Sequence, residues 1–65
     1  MFMPYLVKFL GGYGDCLLQS GQLESRLLAN NFAKEHQFKI SAAVMVIVET
    51  DENGEETRNR EVVKL

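Results

Sequence analysis

Hydrophobic and polar positions first alternate with a period of two. Tyr5, Val7 and Phe9 occupy the odd positions of a stretch rich in strand-forming residues, and alternation of this kind is typical of a β-strand. Pro4 precedes the alternation, which a strand tolerates at its start. The pattern predicts that the apolar segment 1–8 opens a first strand and that this strand ends near residue 10.

The sequence Gly-Gly-Tyr-Gly-Asp at residues 11–15 then interrupts the pattern. Glycine accepts the positive φ values of tight turns, so this segment predicts a turn. We assign residues 16–19 to a second strand that returns from it, with the first turn of a helix as the alternative. The segment does not match a phosphate-binding loop, which requires Gly-Lys-Ser/Thr where this chain reads Gly14-Asp15-Cys16.

Residues 21–36 contain neither proline nor a β-branched residue, which predicts a helix, with Ser20 as its N-cap. Its apolar side chains fall on two faces at about 100° per residue. We expect one face to pack on the sheet: Leu28, Ala29, Phe32 and Ala33. Leu23 and Leu27 lie on the other face, where they form either a peripheral core contact or an interface with a partner.

Residues 38–50 form the clearest predicted strand, and both of its faces are apolar. One face carries Val44, Val46 and Val48, and the other carries Ala43, Met45 and Ile47. A strand that is apolar on both sides is covered on both sides. One helix covers only one side, so we expect a second copy or a partner to cover the rest. The alternative is that the first hairpin folds over it.

Asn53-Gly54 predicts a hairpin turn, because asparagine and glycine accept positive φ, and residues 58–65 then return as the last strand. The whole chain, residues 1–65, is therefore expected to form one α+β domain. Its predicted order is β-β-α-β-β, an antiparallel sheet packed against a single helix. The order β-α-β-β is the alternative in which residues 16–19 belong to the helix.

Composition narrows the class of protein. A chain of 65 residues with Cys16 as its single cysteine and His36 as its single histidine cannot form an internal disulfide or supply the four Cys and His ligands of a structural zinc site. The apolar start lacks the basic region of a secretory signal, and no apolar run approaches the roughly 20 residues of a membrane helix. We therefore expect a cytoplasmic protein without membrane association.

No spacing of residues matches a catalytic, cofactor-binding or metal-binding motif, and the chain is predicted not to be an enzyme. We interpret Cys16 as a small buried hydrophobic residue and His36 as a residue at the helix end. An enzyme would need a site built across a dimer from Asp15, Cys16 and His36.

Two charged groups are candidate surfaces on a chain whose formal net charge is −2. An acidic group around the predicted hairpin tip is either a solvated tip or a docking surface for a basic partner: Glu49, Asp51, Glu52, Glu55 and Glu56. Arg58, Arg60 and Lys64 share one face of the last strand. They can follow a phosphate backbone or form cross-strand pairs with Glu49 and its neighbours.

The sequence thus predicts a small protein-interaction module, acting as a homodimer or as an inhibitor or adaptor of a larger protein. The candidate interface residues are Leu23, Leu27, Met45 and Ile47. The alternative is a nucleic-acid-binding module that uses the basic face, which the negative net charge disfavours.

Overall fold

The computed structural model describes residues 4–65. Its elements are β1 (Tyr5–Leu10), β2 (Cys16–Gln19), α1 (Arg26–His36), β3 (Val44–Thr50) and β4 (Glu56–Lys64). The strands form one antiparallel sheet in the order β2-β1-β3-β4. This confirms the α+β fold and the order β-β-α-β-β, and the alternative that adds residues 16–19 to the helix is wrong. Residues 1–3, the start of the predicted first strand, lie outside the described residues.

Both hairpins turn on a short loop that ends in a glycine with positive φ, 80° at Gly14 and 81° at Gly54. In the second hairpin, the N–H of Gly54 donates to the carbonyl of Asp51 at 3.0 Å, and the N–H of Asp51 donates to the carbonyl of Glu55 at 2.8 Å. The first hairpin repeats both bonds. Asn53 keeps a negative φ, so the predicted hairpin is confirmed but its loop has three residues, with glycine alone in the left-handed conformation.

The helix begins later than its composition predicts. Ser25, not Ser20, is its N-cap, and the Ser25 side chain accepts a hydrogen bond from the N–H of Leu28 at 3.2 Å. Ser20 is buried beside β1, where its Oγ accepts from the N–H of Val7 at 2.9 Å and its own N–H donates to the Val7 carbonyl at 2.8 Å. Hydrogen bonding to β1 thus keeps the chain extended where helix propensity alone favours a helix.

The main core lies between α1 and one face of the sheet, and its buried residues are Val7, Phe9, Ala29, Ala33, Met45 and Ile47. The helix presents two alanines at its fully buried positions. Small side chains there bring the helix backbone close to β1. Leu28, which we expected on this face, is instead 44% exposed.

The opposite face of the sheet is buried at its centre, on β1 and β3. Leu6, Val46 and Val48 are 8%, 7% and 0% exposed. An ion pair joins Lys8 on β1 to Glu56 on β4 and therefore crosses β3 at the level of Val48. The valine face of β3 carries Val44, Val46 and Val48, and Val46 and Val48 are buried without a second chain. The burial of these two residues therefore does not call for a second copy.

Two further expectations about the central strand are wrong. The strand begins at Val44 rather than at residue 38, and Phe38 is 89% exposed in the connection from α1. The first hairpin does not fold over the valine face, because its strands β1 and β2 lie beside β3 in the same sheet.

Candidate functional site

A groove runs between α1 and the β3–β4 side of the sheet. The helix makes its sheet contacts mainly with β1, so the helix side of β4 is left uncovered. The groove has a volume of about 350 Å³, and its lining is Arg26, Asn30, Ala33, Lys34, Gln37, Met45, Ile47, Glu61 and Val63. Its apolar residues come from the core and β4, and its polar residues come mostly from the helix. Five of the nine lining residues are polar or charged, so the groove is a mixed surface with an apolar part at Ala33, Met45, Ile47 and Val63.

The polar margin of the groove carries one ion pair, between the guanidinium of Arg26 and the carboxylate of Glu61. The Nε of Arg26 also donates to the side-chain oxygen of Asn30 at 3.3 Å. The paired side chains are 46% and 50% exposed, so the pair adds little to stability. It does join the first turn of α1 to β4 and occupies the carboxylate of Glu61.

The outer edge of β4 is unpaired within the described chain, because β4 is the last strand of the sheet. The N–H of Leu65 donates to the carbonyl of Ala43 at 3.0 Å, and backbone groups in an antiparallel strand point alternately to its two sides. Odd-numbered residues at this end of β4 therefore bond to β3. The N–H and C=O groups that point outward belong to Arg60, Val62 and Lys64.

The side chains of these three residues share the valine face of the sheet. Arg60 lies opposite Val48, and Lys64 lies opposite Val44. Val62 stands between the two cations and is 58% exposed. The edge thus offers free backbone groups, two cations and one apolar side chain in a single regular stretch, residues 60–64.

The predicted cross-strand pairs with Glu49 are not formed. Among residues 4–65, no ion pair involves Arg58, Arg60 or Lys64. Glu49 instead accepts a hydrogen bond from the side-chain amide of Asn59 at 3.4 Å. Arg58 is exposed and lies in the irregular part of β4, where the register with β3 shifts.

Three of the four residues of the predicted interface belong to the chain's own core, and only Leu27 is exposed. Leu23 packs against the core, and its N–H and C=O both bond to Tyr5, at 2.8 and 2.7 Å. Leu27 is 67% exposed on the helix. Met45 and Ile47 are 7% and 4% exposed, because the helix covers this face of β3. Met45 and Ile47 were expected to contact a partner. They lie instead in the chain's own core, where they also line the groove.

Most of the acidic group at the second hairpin has a partner within the chain. The Oδ1 of Asp51 accepts hydrogen bonds from the backbone N–H groups two and four residues later, each at 2.9 Å. Glu56 pairs with Lys8. Glu52 and Glu55 are exposed and are the members most available to a basic partner.

Cys16 and His36 lie on different elements of the fold, at the start of β2 and at the end of α1. Cys16 is exposed on the edge strand β2, which corrects the expectation that it is buried. His36 lies at the helix end as expected, with its ring stacked on Phe32 at 4.1 Å between centroids and its Nδ1 2.9 Å from the Phe32 carbonyl. In the part of the chain that the structure describes, no three His, Cys, Asp or Glu side chains form a group that could hold a metal ion.

No helix among residues 4–65 has the length and apolar character needed to cross a membrane. No protein family, curated protein or solved structure matches the chain. The groove and the free edge of β4 are the candidate functional surfaces of this protein.

Proposed function

We propose that this chain is a small protein-interaction module, which acts without catalysis as an inhibitor or adaptor of a larger protein. The observation that carries the proposal is the free edge of β4 beside the groove. Backbone groups at a strand edge bind a further strand, and a neighbouring apolar surface receives its side chains. The lone thiol suits a reducing compartment, so we propose that the module acts in the cytoplasm.

A homodimer is the other form that such a module can take, and three two-fold registers of β4 would bring like charges together. A two-fold pairing centred at Val62 places Arg60 opposite Lys64. A pairing centred at Arg60 places Arg60 opposite its own copy, and one centred at Glu61 places Glu61 opposite its own copy. Like charges directly opposite each other destabilise a strand pair, so these three registers are disfavoured. A register centred at Val63 places Val62 opposite Lys64 and opposes no like charges, so the mass of the chain in solution decides between a homodimer and a different partner.

The mass of the chain in solution tests the homodimer. Light scattering on a sizing column should give about 7.4 kDa at micromolar concentration. Twice that mass would favour self-association over a separate partner. Leu23→Glu with Leu27→Glu is not a clean interface variant, because Leu23 packs against the core. Leu27→Glu alone changes an exposed leucine without disturbing that packing.

Affinity capture from lysate of the source cell tests the module itself. The tagged chain should retain one protein at a stoichiometric level, and nuclease treatment should leave that protein bound. The tag alone is the control for non-specific retention. If the folded chain enriches no protein in either condition, the proposal is wrong.

Nucleic-acid binding is the second candidate, and one observation favours it. Arg58, Arg60 and Lys64 are exposed and form no ion pair within residues 4–65, so their charges are available to phosphates. Binding to an oligonucleotide would weaken steeply with added salt and would be lost in Arg58→Glu with Arg60→Glu. Absence of binding at low salt would remove this candidate.

A further inference from the structure

We propose that the outer edge of β4 binds an extended segment of the partner protein as a fifth, antiparallel strand, and that this segment carries acidic residues opposite Arg60 and Lys64. The inference rests on the proposed function and names the chemistry of the partner. It follows from three features of residues 60–64: the direction of the backbone groups, the charge on one face, and the apolar part of the groove, at Val63, Met45 and Ile47, beside the other face.

The backbone supplies the attachment. The outward N–H and C=O groups belong to Arg60, Val62 and Lys64, and each of these residues forms a hydrogen-bonded pair with an antiparallel partner strand. The preceding part of β4 has an irregular register with β3. That irregularity limits regular pairing to the five residues from 60 to 64.

The valine face of this stretch sets the charge of the partner. In a hydrogen-bonded pair the two side chains stand on the same face, with Cα atoms about 5.5 Å apart. Carboxylates opposite Arg60 and Lys64 would meet cations that form no ion pair in the described chain. The residue opposite Val62, which is 58% exposed, would be apolar. The partner therefore presents two acidic residues four positions apart with an apolar residue midway.

The opposite face sets the two remaining positions. Val63 lines the groove together with Met45 and Ile47, so the residue opposite Val63 would be apolar and would extend this surface. Glu61 is held by Arg26, so the residue opposite it would be polar but not acidic. Read in the direction of the partner chain, the segment has the order acidic, apolar, apolar, polar, acidic.

A peptide with this order tests the inference on the full chain. The probe is acetyl-Gly-Asp-Val-Val-Thr-Asp-Gly-amide, titrated to millimolar concentration against the ¹⁵N-labelled protein. The control peptide has lysine in place of both aspartates. We expect amide shifts at residues 60–64 and along the groove. Hydrogen exchange should slow at the outward amides of Arg60, Val62 and Lys64.

Two variants of Val62 separate the backbone contribution from the side chain. Val62→Pro removes an N–H that points away from β3, and a strand edge tolerates proline at such a position. It should keep the fold and weaken peptide binding by about tenfold or more, because one hydrogen bond is lost and the ring blocks the edge. Val62→Thr keeps the N–H and should bind within about threefold of the wild type.

A charge reversal tests the register independently of Val62. Arg60→Glu with Lys64→Glu should weaken binding of the aspartate peptide by roughly tenfold, and the same variant should prefer the lysine peptide. This exchange of preference does not require that Val62→Pro folds. No shift at millimolar peptide, shifts that map to another surface, equal binding by Val62→Pro, or an unchanged preference after charge reversal would each overturn the inference.

Capture with the wild type and with folded Val62→Pro separates failure of the inference from failure of the proposed function. A protein retained equally by both leaves the interaction module standing and removes the β4 edge as its site. Retention of no protein by either removes both. An oligonucleotide that binds wild type and Val62→Pro equally, with no peptide binding, would assign the cations to phosphate contacts and overturn the inference.

Discussion

Ser20→Ala should destabilise the fold by roughly 1–3 kcal/mol, the usual cost of a buried polar group left without a partner. The Oγ of Ser20 accepts the N–H of Val7 at 2.9 Å and donates to the carbonyl of Gly21 at 2.8 Å. Ser20 is 6% exposed and Val7 is 0% exposed. Alanine would therefore leave the N–H of Val7 without an acceptor, at a position that water does not reach.

Thr50→Val is the matched control, because it removes a buried hydroxyl without leaving a group unpaired. Thr50 is 0% exposed, and its Oγ1 donates to the carbonyl of Pro4 at 2.8 Å. That carbonyl also accepts the backbone N–H of Thr50 at 2.7 Å, and valine has nearly the same shape as threonine. The control should therefore cost less than about 1 kcal/mol.

Equilibrium unfolding in urea measures both variants, and native-state hydrogen exchange reports the Val7 amide directly. In Ser20→Ala that amide should exchange faster than in the wild type by more than the global loss of stability explains. A cost of Ser20→Ala no greater than that of Thr50→Val would contradict an unpaired Val7 N–H. So would a Val7 amide that keeps its wild-type protection relative to global unfolding.

Three further predictions follow from the turns, the core and the thiol. Gly54→Ala should cost about 1 kcal/mol because Gly54 has a φ of 81°, whereas Gly12→Ala meets no atom within 4 Å and should be nearly neutral in urea unfolding. Ala29→Leu should cost about 1–3 kcal/mol by overpacking, since Ala29 is 0% exposed on the buried side of the helix. A neutral result would contradict the close helix–sheet contact. Cys16 should react fully with a thiol reagent in the folded protein, because it is exposed; protection until unfolding would contradict this placement.

Features that depend on a few neighbouring residues could be predicted from the sequence. The two glycine turns are local because a positive φ is a property of one residue, and Gly14 and Gly54 adopt it where the sequence places the turns. The alternation at Tyr5, Val7 and Phe9 correctly predicts β1, and the residue types after the second turn correctly predict a returning strand.

Features that depend on a distant partner could not be predicted. Ser20 has the composition of an N-cap, yet its partner is Val7 on another strand, and hydrogen bonding to β1 overrides local helix propensity. Cys16 has the residue type of a buried position, but the strand order places β2 at an edge of the sheet. The sequence also left open which apolar face of β3 lies on the helix side of the sheet, and only the tertiary structure decides it, because Met45 and Ile47 share one buried cluster with Ala29 and Ala33.

The sequence by itself therefore determined the order of the elements, their antiparallel pairing through tight turns, and the absence of a recognisable catalytic motif, because periodicity and turn chemistry act over a few residues. Only the tertiary structure decided the candidate site. The free edge of β4 arises from the strand order β2-β1-β3-β4, and the groove arises from the position of α1 over β1. Neither has a local signal, because an edge and a groove are defined by what does not pack against a strand, and that depends on every other element of the fold.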